Sequence, residues 1–163
     1  MPDIWQSDDS RDPSKVDETV VKPMDVRVAA MNLLARREHT RRELKQKLGK
    51  RFADGDLIDE QLDRLADENL QCDARYAESF VRQRFNRGHG PLRIRQEMGR
   101  KGIPDEEVEL AMAAEDYDWC ASAKDVLKRK FGAVAAEDIK EKARRSRFMQ
   151  YRGFSPEHFR HII

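Results

Sequence analysis

Long apolar runs, aromatic residues and cysteines are all scarce in this chain. Aromatic residues make up 7% of its 163 residues, whereas charged residues make up 39%. No apolar run approaches the roughly 20 residues that a membrane-spanning helix needs, and the N-terminus carries no signal-peptide pattern. We therefore predict a cytoplasmic protein without a membrane segment, whose core is thin and spread along the chain.

Catalytic and metal-binding signatures are also missing. Cys72 and Cys120 stand alone without CxxC spacing, so we predict reduced thiols rather than a disulfide framework. The chain has no Walker-type phosphate loop, no GxSxG motif and no HExxH motif. His158 and His161 share a helical face, but no further residue completes a zinc site by its spacing. These absences predict a protein without catalytic residues, cofactor or metal.

The chain does contain an internal repeat. Residues 37–49 (REHTRRELKQKLG) reappear as residues 87–99 (RGHGPLRIRQEMG), and an acid-led amphipathic segment follows each copy. A weaker third copy closes the chain around residues 147–154. Such self-similarity is typical of stacked helical units, which usually present a surface to a partner.

Apolar residues recur at helical spacing from Val26 onward. In the first copy, Thr40 and Glu43 have the spacing of a capping box, which predicts the start of a second helix. A third helix is predicted to begin near Asp59. Its predicted buried side chains are Leu62, Leu65, Ala66 and Leu70.

These patterns predict an all-α fold of three tandem three-helix units, elongated and curved. The predicted units span residues 24–71, 72–116 and 117–163. Residues 1–23 combine six acidic side chains with three prolines and lack apolar periodicity. We therefore predict that they form a disordered acidic leader.

The formal net charge of +1 hides a strong alternation of charge along the chain. Residues 36–51 hold eight basic side chains against two acids, and residues 54–73 hold eight acids against one base. Residues 75–101 then hold eight basic side chains against two acids, and residues 105–118 hold seven acids and no base. The alternation predicts a surface divided into stripes of opposite sign.

The repeated segments resemble the RecX family of bacterial regulators. The resemblance is carried by residues 34–44 (LARREHTRREL), 75–81 (RYAESFV) and 88–98 (GHGPLRIRQEM). Residues 101–103 (KGI) and 147–154 (RFMQYRGF) extend it, so that it covers about residues 26–163. Its specific parts are the central Gly-Pro-x-x-Ile-Arg and the closing Arg-Gly-Phe.

One departure from the family pattern precedes the second unit. Family members often have Leu-Asp-Asp where this chain has Gln71-Cys72-Asp73. We expect Asp73 to act as the N-cap of the next helix all the same.

The resemblance implies a regulator that is not an enzyme. RecX-like proteins bind filaments of the RecA recombinase on DNA and lie in the filament groove. They inhibit the ATPase, strand-exchange and coprotease activities of RecA, and so restrain recombination and the SOS response. By this resemblance we expect RecA, in its filament form, as the partner, with weak binding to single- or double-stranded DNA in addition. The chain has no heptad seam, so we expect a monomer.

The basic face centred on the second unit is the candidate partner-binding surface. Arginine presents a planar, permanently charged fork that suits carboxylates and phosphates. An alternative interpretation is a solvated face whose arginines pair with acids of neighbouring helices. His39 and His89 occupy matching places before the middle helices, where we predict capping or packing roles. The predicted contacts to the RecA filament or DNA are Arg82, Arg84, Arg87, Arg93, Arg95, Arg100, Lys101, Arg147 and Arg152.

Two other functions stay open from the sequence. Helix pairs joined by a short polar turn, with an arginine-rich second helix, also resemble the helix-turn-helix of a stand-alone DNA-binding protein. Against this, the neighbouring acidic helices would repel phosphates. A helical-repeat adaptor for an unrelated protein is the third possibility.

Overall fold

The computed structural model describes residues 20–163, and the predicted leader lies outside them except for residues 20–23. Within the described range the chain forms nine α-helices and no strand. The helices are α1 (Pro23–Arg36), α2 (Arg41–Gly49), α3 (Gly55–Asp67), α4 (Asp73–Asn86), α5 (Pro91–Arg100), α6 (Asp105–Ala113), α7 (Trp119–Phe131), α8 (Ile139–Tyr151) and α9 (Pro156–Phe159).

The helices pack in three consecutive groups, α1–α3, α4–α6 and α7–α9, here called units 1, 2 and 3. Each unit buries its own apolar cluster, and Trp119 packs against the clusters of both units 2 and 3. The predicted all-α fold of tandem three-helix units is therefore confirmed. The centres of the clusters are Leu44, Leu48 and Leu62 in unit 1, Phe80, Ile94 and Met98 in unit 2, and Met149, Phe154 and Phe159 in unit 3.

Two details of unit 1 differ from the sequence prediction. The α3 helix begins at Gly55, because the Asp54 carboxylate accepts a hydrogen bond from the Leu57 N–H at 3.0 Å and caps the helix earlier than predicted. The predicted burial of Ala66 and Leu70 is wrong, since both are exposed. Ile58 and Gln61 are buried in α3 together with Leu62 and Leu65.

Asp73 is not the N-cap of α4. That position belongs to Cys72, whose side chain makes no capping hydrogen bond. The Asp73 carboxylate instead accepts hydrogen bonds from the backbone N–H of Arg41, at 2.9 Å, and from the Gln71 amide, at 2.8 Å. Because Arg41 is the first residue of α2, Asp73 caps a helix of the preceding unit.

The third copy of the repeat is altered inside its core. Gly102 and Gly153 are equivalent glycines that follow α5 and α8. At the same distance before each glycine, unit 2 has Ile94 and unit 3 has Arg145. The buried Arg145 guanidinium donates to the Val134 carbonyl at 2.8 Å and to Glu141 at 3.2 Å. These partners satisfy the buried charge that replaces an aliphatic side chain.

Candidate partner-binding surface

Units 2 and 3 meet at a backbone contact, the second joint, formed by residues 87–93 against residues 151–154. The Gly90 N–H donates to the Arg152 carbonyl at 2.7 Å, and the Leu92 N–H donates to the Gly153 carbonyl at 3.1 Å. Gly153 has a φ of 94°, which favours glycine. A Cβ added to Gly90 would lie 2.2 Å from the Gly153 carbonyl carbon. The central Gly-Pro-x-x-Ile-Arg segment and the closing Arg-Gly-Phe segment therefore contact each other.

Arg152 closes the second joint with its side chain. Its guanidinium donates to the carbonyls of Arg87, at 2.7 Å, and Gly88, at 3.2 Å. Burial first, and then the nearby Arg93 guanidinium, lower the pKa of Arg152. This arginine therefore lies in a positively charged environment and is held by backbone oxygens.

Units 1 and 2 meet at the first joint, formed by residues 37–43 against residues 71–75 and 101–102. The Glu43 carboxylate lies 3.1 Å from the Lys101 ammonium and 3.1 Å from the Arg37 guanidinium. The Arg75 guanidinium donates to the Glu38 carboxylate at 2.6 Å. Side-chain ion pairs therefore hold this joint.

Only half of the predicted capping box forms, because the Glu43 side chain binds elsewhere. The Thr40 hydroxyl accepts the Glu43 N–H at 3.1 Å, as predicted, but the Glu43 carboxylate turns to Lys101 and Arg37. Burial alone would raise the pKa of Glu43, but the hydrogen bonds from these two cations outweigh burial and lower it. The glutamate of the sequence motif thus ties two units together.

The two histidines of the repeat are buried, one at each joint. Burial lowers the pKa of both imidazoles. His39 Nδ1 lies 2.9 Å from the Arg37 carbonyl, so this nitrogen carries the proton. His89 Nδ1 has no hydrogen-bond partner among residues 20–163, and the charges of Arg93 and Arg152 add to the lowering of its pKa.

Five of the nine predicted contact residues already form ion pairs. The Arg93 guanidinium lies 2.9 Å from the Glu97 carboxylate, and the Arg84 Nε lies 2.9 Å from the other Glu97 oxygen. The Arg84 contact is poorly aligned for a hydrogen bond and acts through charge. The remaining ion pairs are Arg82 with Glu115 at 2.7 Å, Arg95 with Glu109 at 2.7 Å and Lys101 with Glu43.

Three of the predicted residues are exposed and form no ion pair within the described part of the chain: Arg87, Arg100 and Arg147. The second joint brings Arg84, Arg87, Arg93 and Arg152 together, and Arg100 lines a groove beside it. Arg82 and Arg95 instead pair with acids on or just after α6. The nine predicted residues are therefore not one continuous face.

The sequence prediction missed two side chains beside the second joint. Leu92 is 53% exposed, and Tyr151 is 74% exposed although aromatic residues of the chain are mostly buried or half-buried. The Arg93 guanidinium lies over the Tyr151 ring, 5.5 Å from its centroid. A signal for Leu92 existed, because it falls between the core positions Pro91 and Ile94 of an amphipathic helix.

Comparison with known proteins places each unit in one family. Three RecX domain descriptions match, the first three-helix domain at residues 27–65, the second at 73–112 and the third at 116–163. The chain belongs to the RecX family. Regulatory protein RecX of Pseudomonas entomophila (strain L48) is 47% identical over 135 residues, which are 83% of this chain and 87% of that protein. Regulatory protein RecX of Halorhodospira halophila (strain DSM 244 / SL1) is 45% identical, over 83% of this chain and 84% of its own.

Solved RecX structures have the same fold. The crystal structure of RecX from Lactobacillus salivarius superposes with a TM-score of 0.72 and 26% identity, over 86% of this chain and 93% of that one. A second crystal structure of regulatory protein RecX has a TM-score of 0.75 at 21% identity, over 86% of this chain and 72% of its own. The tandem arrangement of units is therefore the RecX fold.

Residues 20–163 contain neither a cluster of metal ligands nor a membrane-spanning helix. No group of three or more His, Cys, Asp or Glu side chains there is arranged to hold a metal ion. None of the helices in that range is both long enough and apolar enough to cross a membrane.

Proposed function

We propose that this RecX family member binds the RecA recombinase in its filament form and inhibits its ATPase, strand-exchange and coprotease activities. It thereby restrains recombination and the SOS response. The observation that carries this proposal is the match of all three units, over most of the chain, to regulatory RecX proteins. In this proposal the protein acts as a cytoplasmic monomer and as a binding protein without catalytic chemistry.

The distribution of charge supports a binding role for the face around the second joint. Arg84, Arg87, Arg93 and Arg152 all belong to the second joint or lie beside it, and the Glu97 carboxylate pairs with two of them, Arg84 and Arg93. Excess positive charge on one face of a protein steers acidic partners and raises the rate of encounter. Stand-alone DNA recognition receives less support, because half of the eight candidate arginines are paired with neighbouring acids.

The test is ATP hydrolysis by RecA on single-stranded DNA, titrated with this protein at two salt concentrations. We expect inhibition of hydrolysis, with a midpoint that moves to higher protein concentration as salt rises. Inhibition well below one copy per RecA subunit would indicate action at filament ends, and inhibition near equal amounts would indicate coating of the groove. Unchanged hydrolysis at saturating protein would reject the proposal.

The paired and unpaired arginines provide a matched test of the contact surface. Reversing the charge of the unpaired residues, as Arg87→Glu, Arg100→Glu and Arg147→Glu, removes no internal ion pair and is expected to weaken inhibition. Arg82→Glu and Arg95→Glu are the controls on the α6 side, and each single reversal is compared with a single reversal of the first set, so that the charge change is equal. An equal loss in both sets would show that only net charge matters.

A further inference from the structure

A groove lies beside the second joint, between α5 and the end of α8. Its volume is about 570 Å³, and units 2 and 3 supply opposite walls. Leu92, Gln96 and Arg100 line it from α5, and Gln150 and Tyr151 line it from α8. We call it the α5–α8 groove.

The two apolar side chains of the α5–α8 groove are exposed, and both stand on ordered backbone. The Leu92 N–H donates to the Gly153 carbonyl across the joint, which fixes the backbone that carries the Leu92 side chain. The Tyr151 ring is held by Arg93, which is itself fixed by Glu97 at 2.9 Å. An apolar group that is ordered before binding loses little conformational entropy when a partner covers it. Such a group can therefore contribute more to the binding free energy than a mobile one.

The polar side chains of the groove suit a polypeptide. Gln96 and Gln150 are exposed amides on opposite walls, and each can both donate to and accept from a peptide backbone. Arg100 forms no ion pair among the described residues, so its guanidinium is available to a carboxylate.

A nucleic-acid strand fits this groove less well. Strong binding to a strand needs several phosphates neutralised by basic side chains. In the groove only Arg100 is without an internal partner, because Arg93 is paired with Glu97, whose carboxylate also lines the groove. The charge therefore suits one carboxylate better than a row of phosphates.

We propose that the α5–α8 groove binds an extended segment of the partner protein, which places one apolar side chain between Leu92 and Tyr151 and an adjacent acidic side chain against Arg100. The inference rests on the proposed function, in that the segment belongs to the recombinase that this protein is proposed to inhibit. It adds a specific contact surface, centred on two residues that carry no charge.

The test is equilibrium binding of the full chain to RecA filaments assembled on single-stranded DNA, with binding to the same DNA without RecA measured in parallel. The double variant Leu92→Ser, Tyr151→Ala is expected to weaken filament binding at least about tenfold, as loss of a buried anchor pair does. Its binding to DNA alone is expected to be unchanged. Leu110→Ser, at a leucine of α6 that is 71% exposed, is the control and should bind filaments as the unaltered chain does.

Two single variants test the same groove independently. Tyr151→Phe keeps the ring and should bind filaments within about twofold of the unaltered chain, whereas Arg100→Glu should weaken binding at least fivefold, since a charge pair is replaced by a repulsion. Arg129→Glu, on exposed α7, is the charge control. Because Leu92, Tyr151 and Arg100 are all exposed, thermal unfolding should be nearly unchanged in every variant.

The possible failures differ from one another. If the unaltered chain does not bind filaments, the proposed function is rejected and the groove proposal with it. If the unaltered chain binds and the double variant binds equally well, the groove proposal alone is overturned. Equal weakening of binding to filaments and to DNA without RecA would make the groove a nucleic-acid site, which also overturns the proposal of a protein segment.

Discussion

The two joints join matching segments by different means. In each joint the start of a middle helix, α2 or α5, contacts the turn that follows the middle helix of the next unit. The first joint relies on side chains, with Glu43 between Lys101 and Arg37. The second relies on backbone hydrogen bonds from Gly90 and Leu92 to the turn at Arg152 and Gly153.

The charge environments of the joints differ as well. Lys101 and Arg152 occupy the same place, directly after the middle helices α5 and α8. Burial alone would lower the pKa of Lys101, but the hydrogen bond to Glu43 and the interactions with the Glu43 charge and with Tyr76 together outweigh burial and raise the pKa. The pKa of Arg152 is lowered by burial and by Arg93. The first joint is thus neutralised internally, whereas the second keeps an excess of positive charge.

The largest expected effect is at the glycines of the second joint. Gly90→Ala should lower the free energy of unfolding by about 3 kcal/mol, since the added Cβ would overlap the Gly153 backbone, which has no room to move. The measurement is urea unfolding followed by circular dichroism. Gly99→Ala is the matched control, because nothing lies within 4 Å of its added Cβ, and it should stabilise α5 by about 0.5–1 kcal/mol. Equal stability of the two variants would contradict a glycine-dependent joint.

The corresponding change in the first joint is Glu43→Gln. It removes the charge shared by Lys101 and Arg37, and should lower the free energy of unfolding at neutral pH by about 2 kcal/mol. The folded-state pKa of Glu43 lies below its ordinary value of 4.5. The contribution of this carboxylate is therefore full above pH 4.5 and is lost as pH falls through the folded-state pKa.

The pH dependence gives this second prediction its own control. The difference in unfolding free energy between the unaltered chain and Glu43→Gln should shrink on acidification below about pH 4.5, the ordinary glutamate value. Glu60→Gln, at an exposed pair with Arg64, should change stability by less than about 1 kcal/mol at any pH. A constant difference for Glu43→Gln would show that its charge is not what holds the joint.

A smaller effect should come from His89. Because burial, Arg93 and Arg152 lower its pKa, the unfolded chain takes up the proton first as pH falls below the ordinary value of 6.5. Its contribution is complete above pH 6.5 and is lost as pH falls through the folded-state pKa. His89→Gln should therefore flatten the dependence of unfolding free energy on pH below 6.5. His161→Gln, at an exposed position outside both joints, is the control.

The sequence was sufficient to predict the fold because its signals are local. Apolar spacing and capping residues such as Thr40 act within one helix, and the repeat shows that the helices form equivalent units. The contacts between units were not predictable in the same way. Asp73 has the spacing of a cap for its own helix, and only the approach of unit 1 redirects its carboxylate to the Arg41 N–H.

The candidate surface shows the same limit. Arginine is common on both exposed and paired faces, so composition alone did not separate Arg100, which has no ion pair in the described range, from Arg93, which pairs with Glu97. The exposure of Tyr151 depends on the way α8 meets α5, since aromatic residues at helical spacing are usually buried. Pairing and exposure are set by the joints, and these lie between distant parts of the chain.

The smallest effects are expected at ion pairs outside both joints. Arg95→Ala removes an ion pair with Glu109 in which the two side chains are 41% and 60% exposed. Thermal unfolding should therefore show that the free energy of unfolding falls by less than about 1 kcal/mol. Arg84→Ala, near the second joint, should cost more, because the Arg84 side chain is 23% exposed and its guanidinium lies 4.8 Å from the Phe80 ring centroid and faces Glu97. Equal losses in the two variants would show that the joints add nothing to an ordinary surface pair. A larger loss for Arg84→Ala would show that arginines at the joint stabilise the fold. The unpaired arginines would then be the ones whose role we propose to be contact with the partner.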